Sequence, residues 1–195
     1  MRLRKNLPSV NSFRRAQRHV IHEWSAWRLI RGHFVAPDGD EFVRTYVESP
    51  GAAGIVAFET NSNGELEVVM VRQYRPSLDA WSLEIPAGMR DVEGEDPLLT
   101  AKRELREEAG LVAARWDFLG QVVQAPAVSD GTVQIFLARD LSVVEIDRHG
   151  PEEQVMTIER YSLGEALAMI DRGEIDNAMA VVGILRGVRF IAAHP

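Results

Sequence analysis

The chain has 195 residues, 46% hydrophobic and 26% charged, the balance of a globular protein with one full core or a domain plus an arm. A net charge of -7 argues against general nucleic-acid binding, which favours a basic surface that tracks phosphates. The sequence has no cysteine, which excludes a disulfide frame, a thiolate zinc site and a cysteine nucleophile.

At the N-terminus, Arg2, Arg4, Lys5, Arg14, Arg15 and Arg18 all precede the first acidic residue, Glu23. This stretch reads as a basic arm over 1–23, frayed or in a short helix with a solvated face, with contact to nucleic acid or an acidic partner as the alternative. It leads into no signal-peptide core, and no apolar run is long enough to cross a bilayer, so a cytoplasmic address is expected. A single domain over 24–195 follows the arm.

From Trp24 the pattern is β. Trp24 to Val35 and Glu41 to Val47 flank the turn Pro37-Asp38-Gly39 and predict an N-terminal hairpin. Further strands are predicted at Ile55 to Phe58, Leu66 to Tyr74 and Trp81 to Ile85, the first two separated by the turn Asn61-Ser62-Asn63-Gly64. Pro86-Ala87-Gly88 reads as a tight loop. Asp96 and Pro97 then supply a cap and a first-turn proline, and Gly110 a stop, for a helix over Leu98 to Ala109.

That helix carries the chemistry. Leu98, Ala101, Leu105 and Ala109 recur at helical spacing and form a buried stripe, while Glu104, Glu107 and Glu108 crowd beside them. Like charges at that spacing repel by a few tenths of a kcal/mol per pair, so the cluster makes most sense when cations neutralise it. All-oxygen ligation favours a hard ion, Mg²⁺ first and Mn²⁺ second. The plain alternative is a solvated acidic face.

After the helix, Asp117 to Gln124 and Val133 to Ala138 read as strands around the loop Gln124 to Gly131. Arg148 to Gln154 is a polar loop, Val155 to Glu159 a last strand, and Leu163 to Ile170 and Asn177 to Ile191 are closing helices. One helix amid the strands and two after them predict an α+β, α/β/α sandwich with a mixed sheet.

The run Glu95, seven residues, Arg103-Glu104-Leu105, one residue, Glu107-Glu108, one residue, Gly110-Leu111 resembles the Nudix box of diphosphate hydrolases. The usual box has five residues between its leading glycine and first glutamate; Gly88 and Glu95 enclose six, which alters the loop and leaves the helix register intact. The resemblance covers about Trp24 to Ala192 and implies the Nudix fold. It implies metal binding by the Glu104 and Glu108 side chains and the Ala87 carbonyl, with Glu107 assisting; Arg103, four residues earlier, can orient Glu107.

In this family the base that activates water often comes from a mobile loop. Here the candidates are Glu152 and Glu153, and aligning Met156-Thr157 with similar proteins selects Glu153. His149 of the same loop is a further candidate for phosphate contact, or is simply solvated. The segments Val71 to Pro76 and Trp81 to Gly88 resemble the ADP-ribose pyrophosphatase branch, which implies that Arg75 binds phosphate and that Glu84 lies in the substrate site. Trp24 and Trp27 stand where relatives keep an adenine-stacking aromatic, although tryptophans at that spacing also suit a hairpin core; Trp27 is the chosen candidate. Ser129 and Asp130 match a substrate loop in which relatives have Pro-Gly and Ser-Asp-Glu, against Pro126-Ala127 and Ser129-Asp130-Gly131 here. The family's exchange of N-terminal strands implies a homodimer in which the 24–48 hairpin takes part.

The expected activity is therefore Mg²⁺-dependent hydrolysis of the diphosphate in ADP-ribose or a related nucleoside diphosphate sugar. The alternatives are another nucleotide sugar, such as ADP-glucose or GDP-mannose, and a non-catalytic nucleotide sensor. The intact Glu104, Glu107 and Glu108 count against the sensor, which has no need of metal-binding acids.

Overall fold

The computed structural model describes residues 12–146 and 154–194. Contacts divide the chain into two compact units, one ending at Ser49 and taking in Ala125–Gly131, the other comprising Pro50–Gln124 and the chain from Thr132.

The first unit is a three-stranded antiparallel meander of β1 (Arg14–Trp24), β2 (Trp27–Val35) and β3 (Glu41–Glu48). The expected hairpin is present as β2 and β3, with Phe34 opposite Phe42. The basic stretch from Arg14 onward is a strand and not a frayed arm or helix, and β1 runs through the expected arm boundary at residue 23. Two long-range partners override the local charge pattern. β2 supplies the ladder, and Glu48 on β3 accepts from Arg18 Nε at 3.1 Å. The loop 125–131 is tied to the end of β3, where Val47 N–H donates to the Val128 carbonyl at 2.8 Å.

The second unit is an α/β/α sandwich around a mixed seven-stranded sheet. Its strands are β4 (Ala52–Thr60), β5 (Leu66–Arg75), β6 (Ala80–Glu84), β7 (Ala87–Met89), β8 (Leu111–Val123), β9 (Thr132–Val143) and β10 (Thr157–Ser162). The order is β10-β5-β4-β9-β8, with β6 beside β5 and β7 beside β4, and β4 runs parallel to β9. Central β4 is buried on both faces, which explains its unbroken apolar run. Ala53, Ile55 and Ala57 pack against helix α1 (Pro97–Ala109), through Ala101, Leu105 and Ala109. Val56 and Phe58 pack on the other face against α2 (Leu163–Asp171) and α3 (Ala178–Ala193). Gly183 and Gly187 let α3 approach closely, because a Cβ on either would stand 2.9 Å from Val56 or Phe58 atoms.

Several bounds differ from expectation. Pro86-Ala87-Gly88 is not merely a loop, because Ala87 and Gly88 pair with Gly54 and Ala53. β8 begins at Leu111, directly after the helix, because its pairing with β9 carries the weak β-formers Ala113 and Arg115 into the sheet. β10 lies at Thr157–Ser162 and not at Val155 to Glu159, fixed by pairing with β5 from Arg72 to Glu67. No helix among the described residues is long and apolar enough to cross a membrane.

Candidate active site

Helix α1 starts and stops as its sequence dictates. Asp96 caps it by accepting from Leu98 N–H at 2.8 Å, and Gly110 closes it in the left-handed region at φ 62°. The longer preceding loop absorbs its extra residue in a turn, with Glu95 N–H donating to the Val92 carbonyl at 3.2 Å and Gly94 at φ 78°. The helix register is thereby kept. Glu104 and Glu108 consequently lie on the buried side, 8% and 5% exposed, and face β7.

There the backbone receives them. Ala87 N–H donates to Glu108 Oε2 at 2.8 Å. A Cβ on Gly88 would fall well inside contact distance of the Glu104 carboxylate, so this carboxylate is seated against bare backbone. The Glu104 and Glu108 carboxylates offer oxygen donors of the kind that Mg²⁺ or Mn²⁺ takes. Among the described residues, no three acidic or histidine side chains form a group that could hold a metal ion.

A side-chain cation lies among the acids. Arg103 Nη1 donates to Glu104 Oε1 at 2.7 Å and to Glu107 Oε2 at 3.0 Å, while Nη2 lies 3.8 Å from Glu95 and 4.0 Å from Asp91. Burial opposes its charge, yet Glu104, Glu107 and Glu95 prevail and raise its pKa above the ordinary arginine value. Thr100 holds the outer acid in place, its hydroxyl donating to Glu95 Oε2 at 2.7 Å.

The facing wall comes from β5. Arg75 grips Glu84 in a two-pronged pair, Nε to Oε1 at 2.8 Å and Nη2 to Oε2 at 2.7 Å. Glu84 is 1% exposed, so its charge is buried and depends on this partner. A cavity of about 520 Å³ separates the walls, lined by Gln73, Arg75, Ala87, Gly88, Asp91, Arg103 and the three glutamates of α1. That volume falls in the range of roughly 300–1,000 Å³ common for small-molecule sites.

Arg75, Ala87, Glu104, Glu107 and Glu108 are thus brought together around one cavity, with Glu84 behind Arg75. Trp27, Ser129 and Asp130 belong to the first unit. Trp27 is half-buried and pairs with Trp24 across the β1–β2 turn. Ser129 Oγ accepts from Gly131 N–H at 3.0 Å, and Asp130 Oδ1 accepts from Ser49 N–H at 3.0 Å. His149, Glu152 and Glu153 lie outside the described residues. Gln73 and Asp91 are among the lining residues that sequence reasoning missed. For Gln73 a signal existed, since it stands two residues before Arg75 on the same strand face.

Comparison with known proteins places this geometry in a family. The model of the NUDIX domain matches residues 49–180. The chain is 39% identical over 175 residues to the ADP-ribose pyrophosphatase of Mycobacterium tuberculosis, covering 90% of this chain and 83% of that protein. It is 33% identical over 148 residues to the ADP-ribose pyrophosphatase of Bacillus subtilis, covering 76% and 77%. A solved structure described as an ADP compounds hydrolase superposes with a TM-score of 0.79 over 97% of this chain and 98% of that one, and at 18% identity this likeness speaks for the fold alone. With the family's domain matched over more than half of this chain and its box folded around one cavity, the chain belongs to the NUDIX family.

Proposed function

We propose that this protein hydrolyses the diphosphate bond of ADP-ribose or a related nucleoside diphosphate sugar, giving a nucleoside monophosphate and a sugar phosphate, with Mg²⁺ or Mn²⁺ as the metal. The observation that carries the reading is the single cavity lined by Arg75 on one wall and Glu104, Glu107 and Glu108 on the other. A diphosphate needs both a cationic grip and a metal-binding acidic cluster, and this cavity offers them together. The two ADP-ribose pyrophosphatases to which the chain is similar support the choice of substrate.

Glu104 and Glu108, with the Ala87 carbonyl, would hold the divalent ion. When bound there, such an ion neutralises phosphate charge and makes a bound water acidic. The chain's own residues do the rest. Glu84 holds Arg75 through Nε and Nη2, and the Nη1 side of the guanidinium is the proposed contact for the phosphate oxygens. Arg103 holds Glu107 beside Glu104 and limits repulsion among the acids. Glu153 is the proposed base that takes the proton of the attacking water, Trp27 the proposed stacking surface for adenine, and Ser129 and Asp130 proposed substrate contacts.

A homodimer through the N-terminal strands and a cytoplasmic setting complete the proposal. Every residue of β1 is exposed, among them Val20, Ile21 and Trp24, which supports a second copy as its cover. The test is a panel of nucleoside diphosphate sugars with Mg²⁺ and identification of both products. Cleavage between the phosphates supports the reading, and turnover of none of them contradicts it.

A further inference from the structure

Gln73 is 6% exposed and lines the active-site cavity. Its carboxamide offers two N–H donors and a carbonyl, yet makes no hydrogen bond to any of the described residues. Its amide atoms are not among the buried unpaired polar atoms, so the carboxamide is open to solvent, and the space Gln73 lines is the cavity.

Strand register gives it a neighbour. On the β5–β6 ladder, Val71 stands opposite Glu84, Gln73 opposite Ser82 and Arg75 opposite Ala80. To reach Glu84, Arg75 must lean back along β5 past the rung that Gln73 occupies, and residues 73 and 75 share one strand face. The Arg75 guanidinium therefore lies over the level of Gln73. Gln73 and Arg75 both line the cavity from that face.

Two chemistries fit an unpaired carboxamide, an acceptor-only phosphate oxygen and a hydroxyl that both donates and accepts. The arginine beside it favours the phosphate. We propose that Gln73 is a further substrate-binding residue, its Nε2 donating to a non-bridging oxygen of the substrate diphosphate alongside Arg75. This rests on the reading of the cavity as a nucleoside diphosphate sugar site, and it adds a neutral donor beside Arg75.

The test uses the full-length protein with Gln73→Met, which keeps length and removes the amide, and Gln73→Glu, which keeps shape and leaves only acceptors. Affinity for the α,β-methylene analogue of ADP-ribose is measured with Mg²⁺, beside KM and kcat for ADP-ribose and the ligand-free melting midpoint. The Met variant is expected to bind about tenfold more weakly, the loss appearing in KM more than in kcat, and the Glu variant more weakly still. The ligand-free midpoint of the Met variant stays at the wild-type value, which a merely structural role would not allow. Wild-type affinity in the Met variant overturns the proposal, because the amide is then only hydrated. A weakened Met variant beside an unaffected Glu variant also overturns it, by making a hydroxyl the partner. If the wild type itself neither binds the analogue nor turns over ADP-ribose, the reading of the cavity has failed, an outcome distinct from failure at Gln73.

Discussion

Gly88 and Glu104 occupy space that a single added carbon would deny them, since a Cβ at residue 88 would lie inside the Glu104 carboxylate. The flexible end of Glu104 can move aside, so Gly88→Ala is expected to fold. The displaced carboxylate is then misplaced for the proposed metal. Activity should fall about a hundredfold, the usual cost of roughly an ångström of misplacement, with a correspondingly weaker response of the melting midpoint to Mg²⁺. Steady-state kinetics and metal titration by thermal shift check both.

Arg75 and Glu84 separate stability from binding. Glu84 is buried and Arg75 is partly open, so Arg75→Gln leaves an uncompensated charge on Glu84. The expected loss is about 2 kcal/mol, below the roughly 3–5 kcal/mol typical of fully buried pairs. Arg75→Lys keeps the charge and loses the fork, so KM should rise about tenfold with a smaller stability loss. Urea unfolding beside kinetics distinguishes the two variants.

Arg103 neutralises the acids through its bonds to Glu104 and Glu107. In Arg103→Gln those carboxylates repel one another. The metal-free protein should lose about 1–2 kcal/mol, and added Mn²⁺ should raise its melting midpoint more than it raises that of the wild type. Differential scanning calorimetry with and without the ion reads both effects. Equal shifts in the two proteins would contradict this role for Arg103.

Across the sheet, Arg72 Nε donates to Glu159 Oε1 at 2.6 Å and Tyr161 donates to the same carboxylate. The bond from Arg72 first, and that from Tyr161 after it, hold the Glu159 carboxyl below its ordinary value of 4.5 against the opposing effect of burial. A depressed folded-state pKa contributes stability that is fully present above the unfolded value and lost as pH falls through the folded one. Glu159→Gln should therefore reduce stability near neutral pH and flatten the decline below about pH 4.5, as read from unfolding midpoints across pH.

What was legible in the sequence was local. The cap at Asp96, the stop at Gly110 and the spacing of Glu104 and Glu108 fix the helix and its acidic side without reference to the rest of the fold. What depended on register was not legible. Arg14 to Trp24 looks like a solvated basic arm until Glu48, two strands away, is found beside Arg18. β7 has three residues and carries no periodicity, so its pairing with β4, which sets Ala87 and Gly88 against the acids, appears only in the sheet. The Arg75–Glu84 pair and the exposure of Gln73 to the cavity follow from the β5–β6 ladder, whose alignment no local pattern states. The loop from which Glu153 is proposed to act lies outside the described residues.

The central claim is a diphosphate hydrolase whose metal is seated by α1 against β7. It is tested most directly by release of AMP and ribose 5-phosphate from ADP-ribose with Mg²⁺, the wild type beside Glu108→Gln. The account predicts turnover in the wild type and its collapse in the variant, because Glu108 links the Ala87 backbone to the carboxylate cluster. Tight binding of ADP-ribose without turnover by the wild type, or equal turnover by the variant, would contradict it.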